Sequence, residues 1–356
     1  MILTELLVDA SEFTARTGWE LKAEGVCKGE VCVPLPPGAR ENDGRLDMRV
    51  VAERLGMPLV ADAEHGFWAF GPETAVTGRT LSTAVAPELE LEDATGEVFS
   101  LSSLRGQKVV LVAWASWCGC RFDLPHWQEL RTELHPLGVE VVTVALDVDV
   151  DAARPFVERA APEHPALFDP GHVVDERFGV VNVPNGLWID EAGVIVRPAE
   201  PAQPGRTPTS DSFRTIDLDT VPPDVAEMLV EARKINTEPE RYLEMLRDWA
   251  GRGAESPYAL APDEVVRRSG ARTDREATAA AEFELGQHLH RSGDHAAAIP
   301  HWRNAHRLYP ENWTYKRQAW NFEDPVRQGP TDVYDSSWIG DVKKYGAENY
   351  YPPLVP

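Results

Sequence analysis

Two cysteines separated by a single glycine, Cys118 and Cys120, stand in the run Trp114-Ala115-Ser116-Trp117-Cys118-Gly119-Cys120-Arg121 and are the residues best suited to chemistry. The run lies where an apolar, strand-like stretch (KVVLVAWAS) gives way to a helical pattern from Arg121 to Leu134. At the mouth of a helix, unpaired N–H groups and the helix dipole favour the charged form of a thiol. The thiolate is the species that attacks a disulfide, and a second thiol nearby then releases the product. Cys118 precedes the helix and is expected to be the more exposed, so it takes the attack; Cys120 resolves. With one intervening residue the two Cα atoms lie at most about 7 Å apart, which barely brackets the ~4.4–6.8 Å of ordinary disulfides. The bridge is feasible in a small, constrained ring that glycine eases, and strained disulfides tend to be the more oxidising ones.

The elements that must hold this pair alternate regularly from about 84 to 200. LELEDATGEVFSL reads as a hairpin turning at Thr95-Gly96, and KVVLVAWAS as a buried strand followed by the Arg121–Leu134 helix. VEVVTVALD is a second buried strand, Asp151 to Ala161 a second helix, and GLWID with VIVRP a closing hairpin around Glu191-Ala192-Gly193. Continuous apolar strands between helices predict a largely parallel sheet covered on both faces and finished by antiparallel strands. Pro198, Pro201, Pro204, Gly205 and Pro208 then mark a linker. The fold class is α/β.

Residues 84–200 resemble the thioredoxin-like superfamily, in particular its TlpA-like/redoxin branch. Members carry a strand ending in W-A-S/T-W-C, a C-x-x-C motif, then a basic residue, an acid and a proline. The matching residues are Trp114 to Cys118, then Cys120-Arg121-Phe122-Asp123-Leu124-Pro125, with one residue deleted between the thiols. The run Val183-Pro184-Asn185-Gly186-Leu187-Trp188-Ile189-Asp190 matches the branch's second landmark. The resemblance implies a cis Pro184 facing the thiols, substrate binding by the Val183 backbone and Trp117, and proton shuttling to Cys120 by Asp123. The deletion predicts a pair less reducing than ordinary thioredoxin. Redoxin-type domains overlap peroxiredoxins, but the P-x-x-x-T-x-x-C pattern of those enzymes is missing before Cys118.

Outside this region the signals are weaker. Residues 1–80 read as a small α+β module with a helix at Met48–Leu55 and a hairpin over Gly25–Pro37, turning at Gly29. Its arms carry Cys27 and Cys32, a candidate second redox pair that could instead be structural or reduced. From 221 to 356 the chain reads as helical. Residues 279–312 resemble one tetratricopeptide repeat through Leu285, Gly286, Leu289, Gly293, Ala298, Trp302, Ala305 and Pro310, which implies either docking of a protein partner or no more than a local helical hairpin. Five histidines fall there (His288, His290, His295, His301, His306) and are expected to face solvent. An aromatic tail, Glu311–Pro356, is expected to wrap over a surface of its own domain or of a second copy in a homodimer.

The chain has 356 residues and a net charge of −23, from 58 acidic against 35 basic residues. Such a balance argues against a phosphate backbone or an anionic membrane as partner. The start MILTELLVDASEF lacks a basic n-region, and no run reaches the ~18–20 apolar residues of a membrane helix, so a cytoplasmic location is expected. No cofactor is implied, and a C-x-C half-site fits zinc spacing poorly, so no metal is expected. The expected function is thiol–disulfide exchange through Cys118 and Cys120 with protein or small-molecule thiols and disulfides. The alternatives are a redox-inert scaffold with the same fold, or a metal- or sulfur-handling protein.

Overall fold

Val109, Leu111 and Ala113 point to one face of a sheet and Val110 and Val112 to the other, each packed into a separate apolar core. This is why the run lacks a polar alternation: it forms an inner strand with both sides covered. The computed structural model describes every residue except 30, 75–80, 82, 208–210, 212–213 and 330. Pro208 of the expected linker lies outside the described residues.

Two compact units emerge, and their boundaries differ from the three consecutive segments expected. One comprises Met1–Arg79 and Ala271–Glu311, the other Thr80–Gly270 and Asn312–Pro356. The helical region from 221 is therefore not one domain. Its repeat-like part joins the N-terminal module, and its aromatic tail joins the sheet.

The second unit holds a seven-stranded sheet. Its strands are β1 (Glu90–Asp93), β2 (Val98–Ser100), β3 (Lys108–Trp114), β4 (Val139–Ala145), β5 (Ala166–Phe168), β6 (Asn185–Ile189) and β7 (Ile195–Pro201). Their order is β2-β1-β5-β4-β3-β6-β7. β3, β4 and β5 run parallel, while β1, β2, β6 and β7 join antiparallel. Helix α1 (Leu124–Leu134) covers one face through Trp127, Leu130 and Leu134. Helix α2 (Pro239–Arg252) adds Tyr242, Met245, Leu246 and Trp249 to the same core. Gly186 on β6 permits this approach, since a Cβ there would stand 2.9 Å from the Tyr242 hydroxyl and 2.7 Å from Ala202 Cβ.

The tail contributes α3 (Trp313–Glu323), in which Trp313 to Trp320 are all buried, and α4 (Trp338–Tyr345). Trp320, Tyr334, Trp338 and Tyr350 are buried within this unit. The tail thus packs over a surface of its own unit.

In the first unit, the helix at Met48–Leu55 is capped by Asp47, whose carboxylate accepts the Arg49 N–H. Strands Gly25–Lys28 and Val31–Val33 pair with Cys27 opposite Cys32, and the two are joined by a disulfide. Helices Asp274–Arg291 and His295–Leu308 form an antiparallel pair. Gly286 makes room for Trp302, whose indole nitrogen would lie 2.6 Å from a Cβ at that position. The solvent-facing expectation for the five histidines fails. His306 is buried and the other four are half-buried, because the helix pair packs on the N-terminal strands. There His301 reaches Glu282 at 2.6 Å and Asp62 at 3.6 Å, and the His288 ring meets Phe67 edge-on at 4.5 Å.

Candidate active site

Strand β3 ends at Trp114, and the chain passes through a loop into a turn of 3-10 helix at Gly119–Asp123 before α1 begins at Leu124. The helix expected from Arg121 thus starts as a tighter turn, and Pro125 in its first turn needs no N–H partner there. The loop is held by Asp147, which follows β4: its carboxylate accepts both the backbone N–H of Ser116, at 2.9 Å, and the Ser116 hydroxyl. Burial raises the Asp147 carboxyl to about 6 despite those bonds. Arg121 ties the other side of the loop by donating to the Ser116 carbonyl at 2.5 Å.

Cys118 and Cys120 are both unbonded thiols. Neither is exposed, at 5% and 6% of full accessibility, so the expected difference in exposure between them is absent. The Val183–Pro184 peptide is cis, and it brings the Val183 carbonyl oxygen within 3.5 Å of Cys118 Sγ. The Cys120 N–H points at Cys118 Sγ from 3.5 Å. Hydrogen bonding from Cys120 is the largest influence on Cys118 and outweighs burial; with the Arg317 guanidinium it lowers the Cys118 thiol to about 5. Cys120 goes the other way: burial, the neighbouring sulfur and Asp123 push it well up. The surroundings thus favour the charged form of Cys118 and the neutral form of Cys120.

Asp123 is half-buried beside the pair and accepts a hydrogen bond from Thr207 Oγ1 at 3.2 Å. Burial, reinforced by the Cys118 charge, raises it to about 7. Trp117 is buried rather than presented to a substrate. Its indole N–H donates to Gln318 Oε1 at 3.1 Å, and its carbonyl accepts Arg317 Nη2 at 2.9 Å and Gln328 Nε2 at 2.5 Å. Cys27 and Cys32 belong to the other compact unit and are already bonded to each other.

The tail supplies residues that the sequence reading passed over. Arg317 on α3 is buried, with its Cζ 4.9 Å above the Trp117 ring. Its hydrogen bonds include those to the Trp117 carbonyl, to Gln328 Oε1 at 2.9 Å and to Tyr350 Oη at 3.1 Å. A buried cation favours an anion beside it, and the Arg317 charge acts to lower the Cys118 thiol. Tyr351 donates its hydroxyl to the Val183 carbonyl at 2.7 Å. The signal for these residues was present but mute: Lys316, Arg317 and Gln318 are polar side chains inside the aromatic run Trp313–Trp320.

Residues 83–197 match the AhpC/TSA family. Thiol-disulfide oxidoreductase ResA of Halalkalibacterium halodurans is 32% identical over 145 residues, which is 40% of this chain and 82% of that protein. The chain belongs to the thioredoxin-like redoxin family. ResA of Bacillus thuringiensis is 27% identical over 113 residues, 32% of this chain. There the redoxin spans 65% of its relative's length. A solved structure of a thiol:disulfide interchange protein DsbE from Chlorobium tepidum shares 32% identity, covering 32% of this chain and 80% of that one, with a TM-score of 0.30. Arg317, Tyr350 and Tyr351 lie beyond the residues matched to the family.

Proposed function

We propose that this redoxin is a thiol–disulfide oxidoreductase in which Cys118 is the nucleophile and Cys120 the resolving thiol. The observation that carries this reading is a pair of unbonded thiols beside the cis Val183–Pro184 bond, with Cys118 Sγ 3.5 Å from both the Val183 carbonyl and the Cys120 N–H. The Cys118 thiolate attacks one sulfur of a substrate disulfide, forming a mixed disulfide and expelling the other half as a thiolate. Cys120 then loses its proton, attacks Cys118 Sγ and releases the second substrate thiolate. The enzyme is left as the Cys118–Cys120 disulfide, two electrons having passed to the substrate, and an external dithiol restores it. Asp123, three residues after Cys120, takes the Cys120 proton in this reading, and its raised pKa of about 7 suits that task near neutrality.

A trapping experiment tests the assignment. Cys120→Ser is expected to accumulate covalent mixed disulfides through Cys118, and Cys118→Ser to accumulate none. If the wild-type protein keeps both thiols free under mild oxidant, the redox-inert scaffold reading replaces this one. Partner docking by the paired helices Asp274–Arg291 and His295–Leu308 is a further part of the proposal. It draws on their resemblance to a tetratricopeptide unit, and substitutions on their exposed positions should release any captured partner.

A further inference from the structure

Whatever reacts with Cys118 must reach a sulfur that the chain's own tail has closed over. The Val183 carbonyl lies 3.5 Å from that sulfur, and both backbone polar atoms of Val183 are in use. Its N–H donates to the Asn182 side-chain oxygen at 2.9 Å, and its carbonyl takes the Tyr351 hydroxyl at 2.7 Å. The same Asn182 donates its side-chain nitrogen to the Tyr350 carbonyl at 3.1 Å, so one side chain fastens the tail to the strand edge. Tyr350 is locked in turn by Arg317 and by Trp338, whose indole N–H reaches Tyr350 Oη at 3.3 Å. The rings of Tyr350 and Tyr351 meet edge-on with centroids 4.7 Å apart.

An extended polypeptide gains its affinity at such an edge from main-chain hydrogen bonds. Here none are on offer at Val183. To make them, a polypeptide would have to expel Tyr351 and expose buried aromatic surface. A small disulfide has no such need, because exchange requires only that one of its sulfurs come in line with Cys118 Sγ.

We infer that Asn182, Tyr350 and Tyr351 restrict this redoxin to low-molecular-weight disulfides. This deepens the oxidoreductase reading and rests on it. The reaction keeps the balance given above: the substrate RSSR takes two electrons and leaves as two thiols, while Cys118 and Cys120 become a disulfide.

The test uses the full-length reduced protein and follows disulfide formation with two oxidants, glutathione disulfide and oxidised insulin. The expected result is a second-order rate constant at least 100-fold larger for glutathione disulfide. Tyr351→Ala and, as a milder change that keeps the ring, Tyr351→Phe should lower that ratio by tenfold or more. A wild-type ratio within tenfold of unity overturns the size restriction while leaving the oxidoreductase reading intact. An unchanged ratio in both variants overturns the role of the tail. Failure of both oxidants to act removes the oxidoreductase reading, and the inference with it.

Discussion

The protein carries two close cysteine pairs, and they are opposites. Cys27 and Cys32 face each other across a short antiparallel hairpin and are bonded, with Cys27 buried and Cys32 exposed. Cys118 and Cys120 are closer in sequence yet remain separate thiols under a layer of aromatic side chains. Closeness along the chain does not make a cysteine pair reactive. The charges around it do, since exchange needs a thiolate, and the second pair has a directed N–H, a buried guanidinium and a nearby carboxyl.

The contrast can be broken most forcefully at Arg317. Arg317→Met removes the counter-charge, so the thiolate should form at higher pH, towards the ~8.5 of a free cysteine. Wild-type Cys118 should ionise with a midpoint of about 5, read by absorbance at 240 nm. A rise of about two units would cut the alkylation rate at pH 6 roughly tenfold, while Arg317→Lys should recover part of it. Unchanged titration in Arg317→Met would mean that the helix turn alone ionises the thiol.

Asp123 gives a second, smaller effect. Its carboxyl, raised to about 7, is protonated below that pH and accepts a proton only above it. Release of the mixed disulfide should therefore quicken as pH rises through about 7, and Asp123→Asn should abolish that inflection in single-turnover traces. The stability sign is opposite. A folded-state value above the unfolded one makes the carboxyl stabilising at low pH, a contribution lost as pH rises towards 7. Asp123→Asn should flatten the thermal stability curve over that interval.

The double substitution Cys27→Ser/Cys32→Ser sharpens the comparison from the other side. Opening so short a loop should cost about 2 kcal/mol, seen in thermal unfolding, with Cys118 alkylation unaltered. Slower turnover in that variant would revive the electron-relay reading of the first pair. Gly119→Ala should do least to the fold, because Gly119 lacks a positive φ and a Cβ there would meet open space. Its effect belongs to the oxidised loop, so a redox titration is the sensitive readout. For the unaltered pair that titration should fall on the oxidising side of thioredoxin's roughly −270 mV.

Much of this was legible in the residues. The apolar runs of β3 and β4, the hairpin turning at Thr95-Gly96, and the positions of Cys118, Cys120 and Pro184 all depend on neighbours within a few residues. So does the helix at Met48–Leu55, with its Asp47 cap. Short β5 (Ala166–Phe168) was not legible, because three apolar residues carry no readable period. Nor were the unit boundaries, because the helix pair 274–308 leaves its chain neighbours to pack on strands far away in sequence.

The sequence by itself therefore determined which sulfurs can exchange and which helix mouth presents them, since both follow from local spacing and local hydrogen bonding. Only the tertiary structure decided that a guanidinium stands beside the pair and that both sulfurs are covered. Those properties come from Arg317, 200 residues from Trp117, and from Tyr351, 168 residues from Val183. A long-range contact of that kind leaves no periodic trace in the chain. It exists only once the core has folded and the cost of burying a cation can be met by an anion brought beside it.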